Sequence, residues 1–144
     1  MIAPQWLKQA CGTEPDTSGV LRHDNLVFTT DRKRLHATLG APPGVGAQAS
    51  PRVVAALQLF CDDAKYEDVE ADVWEITDDL LYVGHLFEGT ILDHNFFNEA
   101  LAGLGTGFSC AMWKDSHLYG PVRFRSADGK RTAYVMPFNM PEKD

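Results

Sequence analysis

Five histidines, at positions 23, 36, 85, 94 and 117, are the residues of this chain best suited to moving protons or holding a metal, because imidazole titrates near neutral pH and lends a nitrogen lone pair. No two of them stand at HxH or HxxxH spacing, the arrangements that bring two imidazoles onto one strand or helix face. Turn and surface positions are therefore expected for them. Asp62-Asp63 and Asp78-Asp79 are paired carboxylates, a pattern that can hold a hard cation or share a proton. Each pair lies beside a turn-prone stretch, so solvated turn carboxylates are the simpler reading. Gly103, Gly105 and Gly107 are spaced like a phosphate loop, but such a loop follows a strand and opens a helix, whereas these glycines follow a helical pattern and are expected to end it. No GxSxG, GxxxxGK[ST] or HExxH occurs, and no motif places a base beside Ser109 or Cys110. The expectation is a protein that catalyses no reaction and has no metal site and no cofactor.

Cations that could meet phosphate occur as Arg32-Lys33-Arg34 and, around a later turn, as Arg123, Arg125, Lys130 and Arg131. Against them stands a formal charge of −7 and a pI near 5.1, which opposes non-specific attraction of nucleic acid to the surface as a whole. With 144 residues, 44% of them hydrophobic and 10% aromatic, the chain has enough apolar material for one domain with an ordinary core. Cys11, Cys61 and Cys110 are far apart, odd in number and form no CxxC pair, which suits free, buried thiols in a reducing compartment. The start MIAPQWLKQACG lacks a basic segment followed by an apolar run, and nowhere do about 18 apolar residues follow one another. A cytoplasmic protein with no membrane partner is expected.

The elements that must position these residues follow from periodicity. Ile2, Trp6, Leu7, Ala10 and Cys11 recur at helical spacing up to Gly12. Gly19 to Leu21 and Leu26 to Thr30 flank a polar turn at His23-Asp24-Asn25 and read as a hairpin. Residues Gly40 to Ser50 show no period and read as a loop; Ser50-Pro51 then opens a helix whose apolar face is Val53, Val54, Leu57 and Phe60. Strands are expected over Val69 to Ile76 and Leu80 to His85, on either side of Asp78-Asp79. Asp93 caps a helix with the apolar stripe Phe96, Phe97, Ala100, Leu101 and Leu104. Strands at Phe108 to Trp113, Pro121 to Ser126 and Thr132 to Met136 follow, the last two joined at Asp128-Gly129. Helices followed by strand pairs imply an α+β fold.

Taken together, WLKQA at 6 to 10, GVLRHDNLVFTTD at 19 to 31, VEADVWEI at 69 to 76, LDHNFFNEALAGL at 92 to 104, PVRF at 121 to 124 and YVMPFNM at 134 to 140 resemble the bacterial DNA polymerase III beta subunit, the sliding clamp. The resemblance implies a single clamp-like domain over 1 to 144, with two main helices packed on antiparallel sheets and an inserted segment near 40 to 66. It implies a processivity clamp or replication accessory that self-associates into a homo-oligomer and binds replication proteins through a short apolar clamp-binding peptide. The alternative is an interaction module that keeps the fold without encircling DNA and regulates or competes for clamp-binding proteins. In the family, segments similar to Thr30-Asp31-Arg32-Lys33-Arg34-Leu35 and to Tyr134 through Asn139 line the peptide pocket. By that resemblance the peptide-binding residues are Thr30, Arg34, Leu35, Val122, Met136, Pro137 and Phe138, with Asp93 and Phe96 at the start of the last helix. Arg32 and Lys33 stand where the family has Gly-His, and their long cationic side chains would narrow or gate an apolar pocket. Contact with DNA is assigned to Lys8 and is expected to be weak and without sequence preference, since the polar positions of the last helix are His94, Asn95, Asn98 and Glu99.

Overall fold

The computed structural model describes residues 6–7, 20–31, 33–41, 43–70, 72–85, 88–115 and 120–138. It shows a mixed α+β fold built, among the described residues, on a large sheet, a small sheet and two helices of defined bounds. The strands are β1 (Leu21–His23), β2 (Leu26–Thr30), β3 (Arg34–Leu39), β4 (Ala47–Gln48), β5 (Tyr66–Val69), β6 (Asp72–Glu75), β7 (Leu80–His85), β8 (Glu88–Asp93), β9 (Ser109–Trp113), β10 (Val122–Arg125) and β11 (Arg131–Val135). Helix α1 spans Pro51–Phe60 and α2 spans His94–Ala102. The large sheet has the order β4-β1-β2-β3-β11-β10-β9-β5, antiparallel except for the parallel pair of β1 and β4. The small sheet is β6-β7-β8, also antiparallel.

Local chemistry accounts for the turns and helix ends. Asp24, in the β1–β2 turn, has φ of 54°, a left-handed conformation that a short polar side chain tolerates. Ser50 caps α1 by accepting from the Val53 N–H, with Pro51 opening the helix, and Asp93 caps α2 by accepting from the N–H groups of Asn95 and Phe96. In the β10–β11 hairpin Gly129 takes φ of 77°, while the Asp128 carboxylate accepts from the Ser126 hydroxyl at 2.7 Å and the Lys130 N–H at 2.9 Å.

Strand alternation gives the large sheet two buried faces. On the first, Val27, Met112, Val122, Phe124, Ala133 and Val135 pack with Trp6 and Leu7, with Ala100 and Leu104 of the α2 region, and with Leu81, Val83 and Leu92 of the small sheet. On the second, Phe28, Ala37, Ala49 and Leu57 form one cluster, and Tyr66, Ala111 and Tyr134 another. Segment 40 to 66 is thus no mere insertion. Its β4 adds to the large sheet beside β1, and its α1 closes the second face.

Several expectations need correction. Val69 to Ile76 is not one strand: β5 belongs to the large sheet and β6 to the small one. Strand β8 arises from EGTILD, where no strand was expected, because Thr90 and Leu92 bury at period two and Gly89 admits the Tyr82 ring. Phe60 is exposed rather than part of the α1 apolar face, and Phe96, Phe97 and Leu101 are half-buried rather than buried. Of the first expected helix only Trp6 and Leu7 fall among the described residues, and both are helical and buried. Among the described residues no helix is long and apolar enough to cross a membrane.

Trp6 locks the α2 end in place. Its indole N–H donates to the Ala100 carbonyl at 3.1 Å, and its ring fills the space where a Gly103 side chain would stand. Gly103→Ala is therefore expected to destabilise the fold by about 1–3 kcal/mol through overpacking, as measured by urea unfolding. A variant as stable as the parent would show that Trp6 does not occupy this socket.

Candidate functional site

Segments 30–35 and 134–138, about a hundred residues apart in the chain, are neighbours in space. Strand β3 pairs with β11, so that Leu35 lies opposite Tyr134 and Arg34 opposite Val135; on its other side β3 pairs with β2, with Thr30 opposite Leu35. Beyond β11 the Met136 N–H donates to the Lys33 carbonyl at 2.8 Å. Two residues later the Phe138 N–H donates to the Ile91 carbonyl of β8 at 2.7 Å. The chain thus leaves the large sheet and crosses to the small one. Strand β8 ends in Asp93, which caps α2 and starts the turn that carries Phe96.

Eight of the nine residues assigned to the peptide site lie in this region, and they divide between the two faces of the sheet. Arg34 points toward α2: its Nε donates to Asp31 at 3.4 Å, its Nη1 donates to Glu99, and its guanidinium sits 4.1 Å from the centre of the Phe96 ring. The Arg34 backbone is held as well, its N–H donating to the Asp31 carboxylate at 3.0 Å and its carbonyl accepting from the Thr30 hydroxyl at 2.7 Å. At 9% exposure Arg34 is a buried cation already matched by two carboxylates, and it ties β3 to α2. Leu35 points the other way and packs against both second-face clusters. Met136 and Pro137 are half-buried and Phe138 is exposed at 41%, so an apolar run reaches the surface here. The ninth residue, Val122, is fully buried opposite Val135 and supports the strand from within. Lys33 is exposed; Arg32 and Lys8 lie outside the described residues.

Sequence reasoning missed His36. Surface and turn positions were expected of the histidines, but His36 is fully buried on the first face and stacks on Trp6 with ring centroids 4.4 Å apart. Its Nδ1 lies 2.7 Å from the Trp6 carbonyl, which can only accept, so Nδ1 carries the proton and Nε2 is buried with no hydrogen-bond partner among the described residues. Burial drives its pKa down to about 4, only partly opposed by the bond to Trp6. The alternation of β3, with Arg34, His36 and Thr38 on one face, was the available signal. Of the other histidines, His23 lies 3.6 Å from Asp24 and His94 3.7 Å from Glu75; His117 lies outside the described residues.

Arg123, one of the cations that could meet phosphate, is buried on the second face. It donates to Asp63 at 2.9 Å and Asp68 at 3.2 Å and stands 5.3 Å from the Tyr66 ring centre. Burial works against the charge on Asp63, yet hydrogen bonding and charge from Arg125 and then Arg123 hold its carboxyl below the usual range. Asp62 caps the short turn Asp63–Lys65. Both carboxylates of that pair therefore have structural partners. Burial pushes the Cys61 thiol up to about 11 and the Cys110 thiol to about 12, which keeps both protonated and unreactive at neutral pH. Among the described residues no three His, Cys, Asp or Glu side chains converge to hold a metal ion.

Compared with models of known protein families, with curated proteins and with solved structures, the chain matches none.

The histidine has a measurable consequence. A histidine whose folded pKa lies below its unfolded value stabilises the fold fully above pH 6.5, and that contribution is lost as pH falls from 6.5 toward 4. His36→Gln, which can still donate to the Trp6 carbonyl, should remove this dependence. Between pH 7 and pH 5 the parent is expected to lose about 2 kcal/mol more than the variant in denaturant unfolding. Parallel stability profiles would show that His36 is not buried neutral.

Proposed function

We propose that this chain is a non-catalytic, clamp-like binding module that takes a short apolar peptide from replication proteins at the surface formed by the end of β11 and the start of β3. One observation carries the reading: the two segments that resemble the family's pocket, 30–35 and 134–138, are joined by strand pairing and by the bond from Met136 to Lys33. An extended peptide finds there the half-buried Met136 and Pro137, the exposed Phe138 and the edge of Leu35. Arg34 plays an indirect part. Held by Asp31, Glu99 and Phe96, it fixes the start of β3 and offers no free charge to a ligand.

The same geometry favours the module over a ring that grips DNA. Helix α2 carries no Lys or Arg, and its Glu99 is bound to Arg34. A helix face turned toward phosphate needs free cations. A second reading, self-association into a ring, has one observation in its favour: β4 and β5 are the outer strands of the large sheet, and outer strands can pair edge to edge between copies. Light scattering separates the two, since a ring of so short a chain requires several copies. The module reading expects a monomer with weak, steeply salt-dependent DNA binding.

The peptide site is tested by titrating a fluorescently labelled apolar clamp-binding peptide and following its anisotropy. Leu35→Ala and Met136→Ala should each weaken binding by about 1–3 kcal/mol if these side chains are central anchors. Lys33→His should strengthen binding if the exposed lysine obstructs the groove, whereas Lys143→Ala should change nothing. Absence of binding before and after the Lys33 replacement would reject the site.

A further inference from the structure

The small sheet offers a second surface, separate from the end of β11. Its outer strand is β6, which among the described residues pairs only with β7. All four residues of β6 are exposed. Large apolar side chains nonetheless concentrate there, Val73 being 45%, Trp74 47% and the following Ile76 50% exposed. Trp74 lies directly opposite Tyr82, and their rings stack with centroids 5.0 Å apart and planes 20° from parallel. The Tyr82 ring in turn lies over Gly89, where an added Cβ would meet its hydroxyl at 2.5 Å. Because Leu81 and Val83 on either side of Tyr82 are buried in the core, the Trp74 and Tyr82 pair occupies the opposite, outward face. The result is a flat aromatic platform beside an open strand edge.

The charge around this platform has one sign. Residues 66 to 113 contain no Lys or Arg, while Glu70, Asp72, Glu75, Asp78 and Asp79 are all exposed beside β6. His94, 3.7 Å from Glu75, is the imidazole placed among them. Pairing of β6 with β6 of a second copy would bring Asp72 and Glu75 against their own kind, and like charges across a strand pair are destabilising. Nucleic acid is repelled for the same reason. A cationic strand meets no such obstacle: the edge supplies backbone groups unpaired among the described residues, the carboxylates supply opposite charge, and the aromatic faces attract an ammonium or guanidinium group.

We propose that the β6 edge docks a basic, extended segment of a partner protein. The segment adds as a strand beside β6 and lays a Lys or Arg side chain on the Trp74 and Tyr82 platform. This surface is independent of the β11 site, and one can fail without the other.

The test is calorimetric titration of the full chain with a synthetic peptide of about eight residues alternating lysine and valine, a length that spans β6 and its flanks. The proposal expects saturable binding that weakens about tenfold or more when Asp72→Lys and Glu75→Lys are combined, and by a similar factor in Trp74→Ala. Both sets of changes are at exposed positions, and unchanged circular dichroism verifies that the fold is retained. The same peptide with glutamate for lysine, or with proline at alternate positions, should not bind. Binding that withstands the charge reversal or the loss of Trp74 overturns the proposal, as does failure of the lysine peptide to bind the parent chain. Concentration-dependent dimerisation that Trp74→Ala abolishes would assign the edge to a second copy and overturn it equally.

Discussion

A large sheet with apolar side chains on both faces cannot stand alone in water, and this constraint organises the rest of the chain. Strand β3 sits inside the sheet and sends Arg34, His36 and Thr38 to one side and Leu35 and Ala37 to the other. Each face must then be covered. Trp6, Leu7, α2 and the small sheet cover the first, while α1 and Tyr66 cover the second. Complete burial of a side chain such as Phe28, Phe124, Leu7 or Leu92 contributes about 1.5–3 kcal/mol, so covering both faces outweighs any single polar contact in the molecule. Without the segment around α1, the Phe28 cluster would face solvent.

Enclosing a sheet in this way also buries polar groups, and their pairing decides which surfaces remain for binding. Arg34 and Arg123 both enter the interior and both bring two carboxylates with them, as burial of a charge requires. These two cations are thereby neutralised in place. What reaches the surface near the end of β11 is apolar, Met136 to Phe138, and what reaches it along β6 is aromatic and acidic. Under the proposed reading, each surface receives a different kind of peptide.

Much of the fold was legible in the sequence because several elements carry redundant local signals. Ser50-Pro51 and Asp93 cap helices where their types and positions foretold, and Asp128-Gly129 turns the β10–β11 hairpin. The signals fail where tertiary contacts decide. Strand β8 contains a glycine over which the Tyr82 ring packs, and its composition does not read as a strand. Residues 69 to 76 contain no Gly or Pro to mark a break, and the packing of two sheets divides them between β5 and β6. For His36 the alternation of β3 was the one local signal, and the Trp6 that completes its environment arrives from thirty residues away. At the candidate site segments 30–35 and 134–138 are neighbours through strand pairing, but the division of Arg34 and Leu35 between opposite faces was not foreseen. That division follows from strand geometry once β3 is known to lie between β2 and β11.

The central claim is that residues from the start of β3 and the end of β11 form one peptide-binding surface. Backbone amide NMR of the isotopically labelled chain, recorded as an apolar clamp-binding peptide is added, tests this most directly. The account predicts concerted, saturable shifts confined to the amides of Lys33 through His36, Met136 and Phe138, together with Ile91, which accepts the Phe138 bond. Shifts that cluster elsewhere, or no shifts at peptide concentrations that saturate a weak complex, would contradict it.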